Sequence, residues 1–214
     1  MAVYTDVPDD QLIDFVASYD LGEVTAFKGI AEGVENSNFF LATEQGQFIL
    51  TLYEKRVAPE DLPFFVGLVE HLAEKGMRCP MPVHDRDGHA IRELCGRPAA
   101  IFTFLDGMAA KRPKTHHCEK VGQTLGALHN AGKGFGLTRT NALGLGGWRP
   151  LFDSFAPSAD QIAPSLGDLI ARELDHLEAH WPSNLPQGVI HADLFPDNIF
   201  FHQGEVSGVI DFYF

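Results

Sequence analysis

The sequence predicts an α+β fold in two parts, a sheet-rich part over residues 1–105 with one helix against it and a mainly helical part over 106–214. Three observations predict it. Short apolar runs broken by Gly and turn residues crowd residues 24–53 and 88–105. Apolar residues recur at helical spacing over 59–75, 115–131 and 166–179. Strand-like runs return only after Pro186.

In chain order, Leu12, Ile13, Phe15 and Val16 predict a short amphipathic helix over Asp9 to Tyr19, capped by an acidic residue and closed by Leu21-Gly22. Val24–Phe27, Gly29–Gly33, Asn38–Thr43 and Gln47–Tyr53 then read as an antiparallel meander, with a turn at Glu44-Gln45-Gly46. Pro59 opens a helix to about Lys75, whose apolar face carries Leu62, Phe65, Val66, Leu68, Val69 and Leu72, and Gly76 stands where a helix ends. Gly88–Leu94 and Arg97–Leu105 are strand candidates, the second ending at Asp106-Gly107. Val121, Leu125 and Leu128 mark a helix over Thr115–Ala131, and Leu169, Ile170, Leu174 and Leu177 mark another over Leu166–Ala179. Between them, Gly132–Gly147 reads as a Gly-rich loop with Trp148 behind it. Gly188–His191, Ile199–His202 and Glu205–Asp211 read as strands, the last two joined by a Gln203-Gly204 turn.

Composition narrows the function. The 214 residues are 45% hydrophobic and carry 16 basic against 29 acidic side chains, a formal charge of −13. No basic stripe exists to displace counterions from a nucleic acid or an anionic membrane, so neither is an expected partner. A phosphate would have to be held by metal ions or backbone N–H groups. The cysteines, Cys79, Cys95 and Cys118, are odd in number and form no CxxC pair, which points to the reducing cytoplasm. No apolar run approaches the ~18 residues of a membrane span. The chain ends on Val209-Ile210-Asp211-Phe212-Tyr213-Phe214, an apolar run without a polar tail, and a longer polypeptide is expected to continue beyond it.

The chemistry concentrates in His191-Ala192-Asp193-Leu194-Phe195-Pro196-Asp197-Asn198, followed by Asp211-Phe212. An apolar strand would deliver His191, a loop would expose Asp193, and a hairpin would bring Asn198 and Asp211 to one end. Phosphoryl transfer from ATP needs this set: one carboxylate to orient and deprotonate the attacking hydroxyl, and two oxygen ligands to hold Mg²⁺ on the phosphates. The spacing is that of a kinase catalytic loop, H-x-D-x-x-x-x-N, with a metal-binding Asp after a hairpin.

With these residues the sequence resembles the aminoglycoside phosphotransferase-type branch of the two-lobed protein-kinase-like fold, and within it the bacterial homoserine kinase family. The closer likeness rests on Gly33–Phe40, Phe48–Lys55, Asn141–Trp148 and Val189–Asn198 and spans the whole chain. It implies a nucleotide-binding lobe over 1–105, the first part of a catalytic lobe over 106–214, and the absence of about the last third of the family's second lobe. It implies ATP-dependent phosphorylation of L-homoserine in threonine biosynthesis, with Asp193 as base, Asn198 and Asp211 as Mg²⁺ ligands, and His191 supporting the loop. Ala192 stands where protein kinases carry an Arg that pairs with an activation-loop phosphate, so a small-molecule kinase is expected.

The likeness also implies nucleotide contacts at Gly29, Gly33 and Asn38, in a phosphate-covering loop, and through backbone groups near Thr103 and Leu105, in the connector between lobes. One departure stands out. Thr51 occupies the strand position where the fold usually places a phosphate-pairing Lys or Arg. Lys55 shares its strand face but lies ~13 Å further on at ~3.3 Å per residue. Glu70 resembles the acidic partner of the missing cation, and reads equally as a solvated helix residue.

Other candidates are bland. His176 and His180 stand four apart on a helix without the Glu of H-E-x-x-H. His116-His117 reads as a solvated helix start, and Phe39-Phe40, Phe64-Phe65 and Phe200-Phe201 as core. Trp148 would shape a substrate pocket or cap the core. Three readings compete with homoserine phosphorylation: a kinase for choline, an aminosugar or another small alcohol; a metal-dependent hydrolase using His191, Asp193 and Asp197; and a nucleotide-binding module without catalysis.

Overall fold

A computed structural model of the chain describes residues 4–31, 36–54, 57–141 and 143–212. It divides into two compact units, Met1–Leu137 with Gly188–Phe214, and Thr138–Gln187. Every described residue expected at the site lies in the first.

In that unit a six-stranded antiparallel sheet is built from β1 (Val24–Gly29), β2 (Ser37–Thr43), β3 (Gly46–Leu52), β4 (Pro82–Val83), β5 (Arg92–Leu94) and β6 (Arg97–Thr103). Its order is β1-β2-β3-β6-β4, with β5 also paired to β6. Alternation assigns the two faces. Phe39, Leu41, Leu50 and Ile101 turn to one side, where α1 (Asp9–Val16) covers them with Leu12, Phe15 and Val16. Ala100 and Phe102 turn to the other, against α2 (Leu62–Glu74) and Leu128 of α3 (Thr115–Ala131). Leu41, Leu50 and Ile101 are fully buried, each contributing roughly 1.5–3 kcal/mol by removal of its side chain from water.

A three-stranded sheet of β7 (Met108–Ala109), β8 (Ile199–His202) and β9 (Glu205–Val209) carries the second-half strands. Its hairpin turns at Gln203 and Gly204, both at positive φ, as a two-residue hairpin loop requires. Val209 and Phe212 enter the same core as α2, and the Val209 N–H donates to the Arg78 carbonyl at 3.0 Å. The hairpin is thus bolted to the chain that leaves α2.

The second unit is a helical pair, α4 (Leu145–Ala159) and α5 (Leu166–His180), with Phe152, Ala159 and Leu174 buried. Arg149 reaches Asp175 at 2.6 Å and Glu178 at 2.9 Å, and Trp148 meets Trp181 edge-on at 5.5 Å between ring centres.

Several expectations are corrected. The first helix stops at Val16, three residues early, with Pro8 at its N-cap and the acids Asp9 and Asp10 in its first turn. The strand expected over 88–94 shrinks to β5, because Asp85 Oδ1 accepts the N–H groups of Asp87 and His89 and folds residues 85–89 into a turn, with Gly88 at φ 85°. The loop expected over 132–147 gives way at Leu145 to α4, which tolerates Pro150 and Pro157 inside it although each removes a helical hydrogen bond. Residues 188–191 join no ladder, so His191 is delivered by an extended segment and not by a strand. The short β4 and β7 carried too few residues to show a period.

Candidate active site

The segment after Pro186 is fixed by its histidine. His191 is 2% exposed; its Nε2–H donates to the Ile210 carbonyl at 2.8 Å, and its Nδ1 accepts the Asp193 N–H at 3.4 Å. Phe212 packs on the ring at 4.8 Å between centres. Burial pushes the imidazole pKa below 6.5, against the opposing pull of the Ile210 carbonyl and the Asp193 charge. The ring is therefore a neutral strut between two loops.

Asn198 closes the arrangement. It is 8% exposed, and its Nδ2 donates to the Asp193 carbonyl at 2.8 Å and to Asp193 Oδ2 at 3.3 Å. With the amide nitrogen committed to Asp193, Oδ1 is turned the other way. The Ile210 N–H donates to the Asn198 carbonyl at 3.0 Å, so Asn198 and Asp211 sit at the same end of the β8–β9 hairpin. Asp193 is half-buried.

Ala192 and Asp211 both adopt φ 67°. Non-glycine residues pay roughly 1–3 kcal/mol for such a backbone, and the strain concentrates where side chains must be aimed. Here it flanks Asp193 and falls on Asp211 itself. No signal in the residue types Ala and Asp announced it.

On the sheet, Asn38 and Thr51 are directly paired across β2 and β3, and the Thr51 hydroxyl donates to Asn38 Oδ1 at 2.8 Å. Thr51 pairs with Ala100 on its other side, so this rung lies on the face turned toward α2. Gly29 ends β1 opposite Phe39. Gly33 and Lys55 lie outside the described residues.

Backbone parity separates the connector positions. The Phe104 N–H donates to the Gln47 carbonyl on the β3 side at 3.3 Å, whereas the Thr103 N–H turns to the Met81 carbonyl at 2.9 Å. Thr103 and Leu105, two residues apart, share the second edge. Because the Thr103 N–H is spent on Met81, a nucleobase could meet Thr103 there only at its carbonyl.

Glu70 has a partner that sequence reasoning missed. His84 Nε2 lies 3.1 Å from Glu70 Oε1, both side chains partly exposed, so Glu70 faces the chain after β4 and not β3. Also missed was Glu54, whose buried carboxylate follows an apolar strand.

The residues of the competing metal readings are only partly available. Both His191 nitrogens are engaged, and Asp197 is exposed. The His180 Nδ1 bonds the His176 carbonyl. Among the described residues, Asp85, Asp87 and His89 form a further group within metal-ligand distance, but the Asp85 carboxylate is occupied by Arg92 and two backbone N–H groups. A cavity of about 600 Å³ opens between Arg78, Leu105, Asp106, His202, Gln203 and Glu205. It lies at the turn end of the hairpin, opposite Asn198 and Asp211.

What the arrangement can do is hold one carboxylate with its orientation fixed, beside an amide oxygen and a second carboxylate on a rigid hairpin. Comparison with known proteins bears on the family and the fold. Residues 26–214 match the phosphotransferase enzyme family. The chain is 58% identical over 214 residues to the homoserine kinase of Sinorhizobium fredii, covering 100% of this chain and 66% of the relative. It is 60% identical over 214 residues to that of Beijerinckia indica, covering 100% and 67%. The chain thus spans about two thirds of the length of these curated relatives. Among solved structures, a spectinomycin phosphotransferase in complex with ADP and spectinomycin superposes with a TM-score of 0.70 at 14% identity, over 97% of this chain and 69% of that one. An amicoumacin kinase in complex with AMP-PNP and Ca²⁺ gives 0.69 at 16% identity, over 95% and 63%. These two establish likeness of fold, an α+β kinase-like fold with an N-terminal antiparallel sheet.

Proposed function

The chain belongs to the phosphotransferase enzyme family, and from that premise we propose that it transfers the γ-phosphoryl group of ATP to the side-chain hydroxyl of L-homoserine, giving O-phosphohomoserine and ADP for threonine biosynthesis. One observation carries the chemistry: Asn198 and His191 together hold Asp193 by its carbonyl, carboxylate and N–H. The choice of acceptor is supported by the 58–60% identity to homoserine kinases along the whole chain.

Asp193 accepts the proton of the homoserine hydroxyl as its oxygen bonds to the γ-phosphorus. The bond from that phosphorus to the bridging oxygen breaks, and the electron pair leaves with ADP. Asn198 keeps the carboxylate aimed, so little reorganisation is needed at the moment of transfer. His191 prevents the Asp193 loop from drifting away from the Asp211 segment.

Asn198 Oδ1 and the Asp211 carboxylate are hard oxygen donors, the type that suits Mg²⁺, and both stand at one hairpin end. When bound there, the ion would neutralise phosphate charge, which a chain of net charge −13 cannot do with a general basic field. Asn38 supplies an amide donor toward the phosphates, oriented by Thr51. The Thr103 carbonyl and the Leu105 backbone meet the adenine edge.

Among the described residues, no helix is long and apolar enough to cross a membrane. Free Cys79, Cys95 and Cys118 suit a reducing cytoplasm. The test is a panel of acceptors with Mg·ATP. L-homoserine should be phosphorylated with kcat/KM at least about tenfold above choline or an aminoglycoside. Preference for another alcohol would overturn the acceptor assignment, and nucleotide binding without transfer to any alcohol would overturn the enzymatic one.

A further inference from the structure

We propose that Glu54 is a positioning residue for the nucleotide, fixing the root of β2, and with it Asn38, at the place where the connection from β1 enters the sheet. The inference rests on the ATP-dependent reading above and adds a residue that neither the catalytic motif nor the metal ligands include.

Glu54 follows β3, and its side chain is 8% exposed. Its carboxylate gathers groups from three separate stretches of chain. Oε1 accepts the hydroxyls of Ser37 and Thr5, each at 2.7 Å, and Oε2 faces Arg97 Nε at 3.3 Å. The Glu54 N–H donates to Asn36 Oδ1 at 3.3 Å. The Ser37 oxygen in turn accepts the N–H groups of Tyr4 and Thr5 at 2.8 and 3.2 Å. Asn36 and Ser37 are themselves buried.

The location gives this cluster its function. Asn38 pairs with Thr51 and Ser37 with Leu52, so the clasp begins one rung beyond the amide that faces the α2 side of the sheet. Asn36 and Ser37 are the first described residues after the connection from β1. A buried carboxylate is an expensive way to hold two strands together, since an apolar pair would do so without desolvating a charge. What the carboxylate adds is direction: its charge-assisted hydrogen bonds admit only a narrow range of positions for Ser37 and Thr5, while the Glu54 N–H holds Asn36 beside them. That restriction matters because β3 carries Thr51, and no cation among its seven residues, on the rung beside Asn38. Phosphate contact then depends on amide and backbone donors, which act only if placed within a few tenths of an ångström.

The test reads nucleotide binding separately from turnover. Binding of Mg·ADP is measured by calorimetry, and steady-state constants are measured with ATP and L-homoserine, for the full chain and its variants. Glu54→Ala should weaken ADP binding and raise KM for ATP by about tenfold, with kcat and KM for homoserine changed less than about threefold. Glu54→Gln, which still accepts the two hydroxyl hydrogens, should recover to within about threefold of the parent. Ser37→Ala removes one donor to the carboxylate and the acceptor of the Tyr4 and Thr5 N–H groups while the carboxylate keeps Thr5 and Arg97, and should raise KM for ATP several-fold even if Glu54→Ala does not fold. Unchanged ADP binding in folded Glu54→Ala, unchanged binding in Ser37→Ala, or a loss confined to kcat would each overturn the proposal. Failure of the parent chain to bind Mg·ADP would overturn the nucleotide reading and this inference with it. ADP binding without transfer to homoserine would overturn only the acceptor assignment, and the ADP dissociation constants would still decide the role of Glu54.

Discussion

His191 donates from Nε2 to the carbonyl of Ile210 across 2.8 Å, and this bond joins the loop of Asp193 to the strand end of Asp211. Its replacement leaves that carbonyl and the Asp193 N–H without their partner. His191→Ala should cost about 1–3 kcal/mol of stability for each group left unsatisfied in a buried place. It should also lower kcat by about tenfold or more while KM for ATP moves less, because positioning and not binding is lost. Thermal unfolding with steady-state kinetics measures both; an unchanged kcat would mean that the Asp193 loop is held by other contacts.

The same ring sets a pH dependence. Its folded pKa is pushed below 6.5 by burial, so between the folded value and 6.5 the unfolded chain binds the proton that the folded chain refuses. The stability linked to His191 is complete above about pH 6.5 and is lost as pH falls through the folded pKa. Asp85 adds an acid window. Burial pushes its carboxyl up, but the N–H of His89, the Arg92 guanidinium and the N–H of Asp87 prevail and lower it from 3.8 to about 2. Its contribution is complete above pH 3.8 and lost toward pH 2. Unfolding midpoints measured from pH 8 to 2 should fall in both windows, and Asp85→Asn should remove the lower one.

Thr51 and Asn38 should separate in their effects. Thr51→Val removes the hydroxyl that orients Asn38, costing about 0.5–1.5 kcal/mol and raising KM for ATP a few-fold. Asn38→Leu removes the amide donor itself, and should raise KM for ATP at least about tenfold. Equal KM values for parent and Asn38→Leu would remove Asn38 from the nucleotide site.

Leu105 lies against Gly208 of β9, where a Cβ would come within 2.5 Å of Leu105 Cδ1. Gly208→Ala should therefore displace the Leu105 side chain, at about 1–3 kcal/mol of overpacking. If the Leu105 backbone meets adenine, KM for ATP should rise while KM for homoserine stays constant. A loss of stability without a change in either KM would limit Leu105 to packing.

How far the sequence carried depended on whether a residue's signal was local. The strands β2 and β3 and the helices α2, α3 and α5 were legible because their apolar patterns are local and sustained, and the H-x-D-x-x-x-x-N spacing announced the segment from His191 to Asn198. The separate strand expected over Gly29–Gly33 is not formed among its described residues, where β1 runs unbroken from Val24 to Gly29. The helix α4 was hidden by Gly146, Gly147, Pro150 and Pro157, which read as breakers although tertiary packing of Phe152 and Ala159 overrides them. The positive φ of Ala192 and Asp211 is set by the Ile210–Asn198 and His191–Ile210 bonds, which no local pattern encodes. The His84 partner of Glu70 and the Ser37, Thr5 and Arg97 partners of Glu54 come from distant stretches of sequence, so spacing could not find them.

The role of Asp193 is tested most directly by ATP-dependent phosphate transfer to L-homoserine by the full-length protein and by its Asp193→Ala variant, with thermal unfolding followed in parallel. If Asp193 takes the hydroxyl proton, kcat should fall by about 10²–10⁴-fold in the variant, while the unfolding midpoint and KM for ATP stay near those of the parent. Retention of the parent's kcat in a folded Asp193→Ala would contradict the account.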